Sequence, residues 1–105
     1  MTKTESKNNN KTAVFLELLK KHRKEIEKKY KVSYLGIFGS YIRGEQTELS
    51  DIDILVEFSE TPSLFRFIQL ENYLSELLEV NVDLVMKSAL RPNIGKQILK
   101  EVIKV

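Results

Sequence analysis

The feature that most constrains this chain is a contradiction inside its longest apolar run. Ile52–Phe58 reads as a strand built for a core, yet Asp51 and Asp53 open it. Alternate residues of a strand point to one face, so these carboxylates stand roughly 6.5–7 Å apart on the same side. Held that close they repel, and any burial strips them of water. They need a cation between them, or one must keep its proton. Mg²⁺ meets that demand. It is a hard ion that takes one or two protein carboxylates and fills its shell with substrate phosphates. A third acid, Asp83, interrupts the apolar stretch Val82-Asp83-Leu84-Val85. It can face the same pocket if that stretch is a strand beside the first.

The rest of the chain supplies the frame for such a strand. With 105 residues it has room for one modest core. The polar segment 1–11, with Asn8-Asn9-Asn10, reads as a disordered tail and lacks the apolar stretch of a secretory signal. Thr12 is placed to cap a helix running to about Lys29, with Phe15, Leu18, Leu19, His22, Ile26 and Tyr30 on its apolar face. His22 on that face reads as packing or a helix-end charge. Val32–Phe38 is β-branched and aromatic, a first strand ended by Gly39. Ser40–Gly44 suits one helical turn, and Glu45–Ser50 a polar loop. Pro62 and Ser63 open a helix from Leu64 to about Glu79, with Phe65, Ile68, Leu74, Leu77 and Leu78 inward and Phe67 at an interface. Val80–Met86 reads as the third strand. After a break at Arg91-Pro92-Asn93, the residues Ile94, Ile98, Leu99, Val102 and Ile103 mark a closing helix.

The expected class is therefore α/β (α+β), a small mixed three-stranded sheet with helices on one side, in the order α-β-turn-β-α-β-α. The short link from the first strand to the second favours an antiparallel pair, and the helix between the second and third allows a parallel crossover. Without cysteine, disulfides and thiolate-held metals are excluded. No apolar run approaches the ~20 residues that span a bilayer, so the cytoplasm is the default location. A net charge of +2 does not argue for nucleic-acid binding. The lysine-rich runs around Lys20–Lys29 and at Lys96, Lys100 and Lys104 read as solvated helix faces, or as a rim attractive to polyphosphate.

Ahead of the acids lies Gly39-Ser40. A glycine at a strand end lets the backbone turn and approach a ligand closely. A helical turn starting at Ser40 offers amide donors and a hydroxyl to a phosphate, and Arg43, one turn on, can reach the same anion with a planar fork. Each piece has an ordinary explanation: turn chemistry for Gly-Ser, capping for Asp-x-Asp, an edge-strand charge for Asp83, a surface charge for Arg43. The joint order and spacing is what singles them out.

That order resembles the signature of the DNA polymerase β-like nucleotidyltransferases: Gly-Ser, about ten residues, then Asp-x-Asp. The fuller stretch GSYIRGEQTELSDIDILV is similar to the minimal nucleotidyltransferase branch, which includes the antitoxins paired with HEPN-domain toxins. The resemblance implies that Asp51, Asp53 and Asp83 hold two Mg²⁺ ions, with Asp83 also activating the acceptor hydroxyl. It implies that Gly39 and Ser40, with Arg43 beside them, hold the triphosphate of ATP. The implied reaction is in-line attack on the α-phosphorus with release of pyrophosphate, the AMP passing to a tyrosine of the toxin. Larger relatives carry an added acceptor-binding domain; here a HEPN toxin partner is expected to supply that half. The alternatives are a module that masks the toxin stoichiometrically, and transfer to a small molecule or RNA end.

Overall fold

A computed structural model describes residues 3–105, with side chains from Lys11 onward. The elements are α1 (Lys3–Tyr30), β1 (Val32–Phe38), α2 (Ser40–Arg43), β2 (Ile52–Phe58), α3 (Leu64–Leu78), β3 (Val82–Met86), a 3-10 turn (Lys87–Ala89), α4 (Pro92–Glu101) and β4 (Ile103–Lys104). They build one four-stranded sheet in the order β3-β2-β1-β4. β1 runs antiparallel to β2 and to β4, and β2 runs parallel to β3. Among the described residues no helix is long and apolar enough to cross a membrane.

The alternation along the strands separates two faces. Leu35 and Ile37 of β1, Ile52, Ile54 and Val56 of β2, and Val82 and Leu84 of β3 belong to one buried cluster. α1 adds Phe15, Leu19, Ile26 and Tyr30 to it, and α3 adds Leu70, Leu74 and Leu78. Residues one step out of phase, among them Phe38, Asp53, Leu55, Asp83 and Val85, belong to the opposite face, which is lined at one end by α4. Helices therefore flank both faces rather than the single side expected.

Four other expectations are corrected. α1 begins at Lys3, inside the segment read as a disordered tail; Met1 and Thr2 lie outside the described residues. Lys3–Lys11 holds no proline or glycine, so nothing stops a helix nucleated on the Phe15 face from propagating backwards. Thr12 is thus inside α1, where its hydroxyl donates to the Tyr41 carbonyl at 3.3 Å. On α3, Phe65 and Ile68 point outward, Phe65 being 71% exposed. The buried stripe is Leu70-Leu74-Leu78, joined by Phe67 and Leu77, and Phe67 rather than Phe65 packs near the Phe58 ring, at 6.3 Å between centroids.

β3 starts at Val82, two places later than read, because Glu79 takes a left-handed conformation, φ 57°, to end α3. Finally, Val102 and Ile103 do not continue α4. The helix closes at Val102, and Ile103–Lys104 pairs with Ile37 and Gly36 as a fourth strand. Without it the outer edge of β1 would be left unpaired. The approach is close: a Cβ on Gly36 would lie 2.7 Å from Val102 Cγ2 and 3.1 Å from the Ile103 carbonyl oxygen.

The other sheet edge is closed by side chains. The amides of Val82 and Leu84 donate to Ser75 Oγ and Glu71 Oε2 of α3, each at 3.0 Å. These bonds help fix β3 in the register that decides where Asp83 sits.

Candidate active site

The parallel register pairs Ile52 with Val82, Asp53 with Asp83 and Ile54 with Leu84. Asp53 and Asp83 are thus direct neighbours on the face away from the main core. Phe38, the last residue of β1, pairs with Asp53 from the other side. The chain then turns at Gly39, with φ 86° and ψ −154°, a backbone region essentially confined to glycine. The turn also needs glycine for space. A Cβ there would fall on the Asp53 carboxylate, 2.9 Å from its Cγ.

α2 follows directly. The Gly39 carbonyl accepts from the amides of Ile42 and Arg43 at 3.0 and 3.1 Å, and Gly44, with φ 73°, closes the turn onto the Ser40 carbonyl. Tyr41 anchors it, its buried ring packing edge-on against Phe15 of α1 at 5.4 Å. Burial, and then the charge of Asp51, push the Tyr41 hydroxyl above its ordinary pKa.

A cleft of about 650 Å³ opens between this turn, the acid-bearing ends of β2 and β3, and α4. Of the residues singled out in the sequence, Gly39, Arg43, Asp53 and Asp83 line it; Ser40 and Asp51 lie outside its lining. Asp51 is nevertheless close enough to act on Asp53. The Asp53 carboxyl is pushed up to about 6, first by loss of water, then by the charges of Asp83 and Asp51; Arg43 opposes the rise and Glu101 adds to it. This is the crowding anticipated for the acid pair, with Asp83 as its larger charge partner.

The donor type fits a hard divalent cation: the Asp53 and Asp83 carboxylates stand side by side with Asp51 near them, Asp53 half-buried and the other two open to solvent. Among the described residues no three acids or histidines converge closely enough to hold a metal ion by themselves.

Glu101, the last residue of α4, was missed in the sequence reading. It accepts from the Gly39 amide at 2.6 Å and from Arg43 Nη1 at 3.0 and 3.1 Å. Arg43 also donates from Nε to Glu45 at 2.9 Å, so its guanidinium is braced by two carboxylates. Those hydrogen bonds raise its pKa further. His22, by contrast, stays a helix residue, its Nδ1 2.9 Å from the Leu18 carbonyl.

A glycine-only turn abutting paired strand acids is the core of the nucleotidyltransferase site. Residues 19–105 match the nucleotidyltransferase domain family, and the chain belongs to it. Within that family it is a minimal member. It is 53% identical to the protein adenylyltransferase MntA of Thermococcus cleftensis over 88 residues, 84% of this chain and 89% of that protein. Among solved structures it is similar to a predicted minimal nucleotidyltransferase, with a TM-score of 0.72 and 32% identity over 93% of this chain and 95% of the other. It is also similar to a toxin–antitoxin crystallised with AMP-PNP, with a TM-score of 0.64 and 29% identity over 90% of this chain and 69% of that one.

Proposed function

We propose that the protein is an antitoxin that transfers AMP from Mg–ATP to a tyrosine of a HEPN-domain toxin. The observation that carries this reading is the direct pairing of Asp53 with Asp83 against the Gly39 turn, in a cleft open to solvent. The similarity to a protein adenylyltransferase, and to a toxin–antitoxin holding AMP-PNP, supports the substrate and the class of acceptor.

In this reading Asp51, Asp53 and Asp83 hold Mg²⁺. The bound metal would lower the pKa of the attacking hydroxyl and spread the charge of the leaving group. Ser40, with the Gly39 turn, receives the β- and γ-phosphates, and Arg43 supplies a positive charge beside them. Asp83 receives the proton of the acceptor hydroxyl. The hydroxyl oxygen bonds to the α-phosphorus, the bond from that phosphorus to the bridging oxygen breaks, and pyrophosphate leaves with the bonding electrons. No covalent intermediate on this chain is required. The acceptor is presented by the partner, since the cleft is walled on this side only by the turn, two strand ends and α4.

The test is direct. The protein, incubated with α-labelled ATP, Mg²⁺ and the product of the adjacent gene, labels that product on tyrosine. The Asp51→Ala/Asp53→Ala variant does not, and no longer neutralises the toxin. If that variant still neutralises it and no label transfers, inhibition is by masking and the catalytic reading is wrong.

A further inference from the structure

Glu101 sets a further carboxylate beside a cleft that already holds Asp53 and Asp83. Like charges so placed oppose one another, so what retains it must be local. Two contacts do so: the Gly39 amide, and the Arg43 guanidinium that meets both oxygens. The Glu101 side chain is 22% exposed. Its position is also fixed from behind. Glu101 ends α4, Val102 packs within reach of Gly36, and Ile103 enters the sheet beside β1. The C-terminal segment is thus tied to β1 on one side of Glu101, and Glu101 is tied to the turn on the other.

We propose that Glu101 is a positioning residue for nucleotide binding: through the Gly39 amide and Arg43 it fixes the turn that receives the triphosphate. It satisfies the Gly39 amide and so holds the start of the turn in place. It also holds Nη1 of Arg43, and Glu45 holds Nε. Nη2 has no protein partner among the described residues and is left for the ligand. An arginine braced in this way presents a fixed donor, so less side-chain freedom is lost when the anion arrives. The inference rests on the nucleotidyltransferase reading above.

Calorimetric titration with Mg–AMP-PNP tests it on the full chain, with thermal melting of each variant alongside. Glu101→Gln keeps an acceptor for Gly39 but loses the ion pair. It is expected to bind about tenfold more weakly or worse, as loss of a charged hydrogen bond implies, with a melting temperature near wild type. Because Glu101 acts through Arg43, the Arg43→Ala/Glu101→Gln double variant should bind no more weakly than Arg43→Ala alone. If Glu101→Gln unfolds, Glu101→Asp keeps the charge but draws it back by one methylene, and the same weakening is expected. Equal or tighter binding by the Glu101 variant overturns the inference, since Glu101 would then merely compete with phosphate. Additive losses in the double variant overturn it as well. A wild-type protein that binds no Mg–AMP-PNP defeats the nucleotidyltransferase reading itself, and this inference with it.

Discussion

Replacing Asp53 with asparagine should stabilise the metal-free protein while abolishing nucleotidyl transfer. The carboxyl rises from an ordinary 3.8 to about 6 on folding. Two units at about 1.36 kcal/mol each set an upper bound of roughly 3 kcal/mol. Asp53 is only partly buried, and solvent screening reduces that to about 1 kcal/mol. For a domain of this size that is a rise of roughly 4–8 °C in melting temperature.

The sign follows from the raised pKa. The folded state favours protonated Asp53, so its contribution is fully favourable below the unfolded value and is lost as pH climbs through about 6. At pH 7.5 in chelator, Asp53→Asn should therefore melt higher than wild type. Below the ordinary carboxylate pKa, where Asp53 is protonated in both states, the two should converge. Adding Mg²⁺ at pH 7.5 should raise wild type more than the variant. Equal melting at pH 7.5, or an advantage that persists undiminished in acid, would refute the claim that crowding and burial strain this carboxylate.

Other substitutions probe the frame around the site. Gly39→Ala imposes a glycine-only backbone and drives a Cβ into the Asp53 carboxylate. It should cost about 2 kcal/mol or more in denaturant unfolding and eliminate Mg–ATP binding. Gly36→Val should cost about 1–3 kcal/mol by forcing the C-terminal segment off β1, read as faster hydrogen exchange at Val105, whose amide bonds the Leu35 carbonyl at 2.8 Å. On α3, Leu74→Ala should cost about 2–5 kcal/mol, while Phe65→Ser should stay within about 0.5 kcal/mol. Equal costs at the two positions would reinstate the outward stripe as core.

Strands β1 and β2 were legible because their β-branched and aromatic runs are bounded by a glycine and by acids, and both bounds are recovered. The pairing directions were legible from connection length alone. On α3 the sequence offers two apolar stripes, and periodicity cannot say which one the sheet covers. Leu64, Phe65 and Ile68 are as apolar as Leu70 and Leu74, but only the second stripe meets the β2 and β3 core residues. β4 is too short to show an alternation. It exists because β1 has a free edge, which is a property of the assembled sheet.

The acids of the site stood out as charges inside apolar strands, and the register brings Asp53 and Asp83 together. Glu101 gave no such signal: it sits among the charges of a helix end, and its partner Gly39 is 62 residues away. Arg43 was visible as a cation near the turn. Glu45, two residues on, is a local partner for it, but that Glu101 also holds it depends on where α4 packs.

The pairing of Asp53 with Asp83 also bears on how the chain reaches its fold. Side chains alternate across a strand, so sliding β3 by one residue against β2 would turn Asp83 toward α1 and α3 and bring Val82 and Leu84 out to water. A charge carried into that apolar layer without a partner is among the costliest errors a small domain can make. The misaligned sheet therefore rises steeply in energy, although Val82, Leu84 and Val85 would tolerate either face. The Asp83 carboxylate thus penalises every slip that would reverse the faces of β3, and the chain carries this safeguard before any metal or nucleotide arrives.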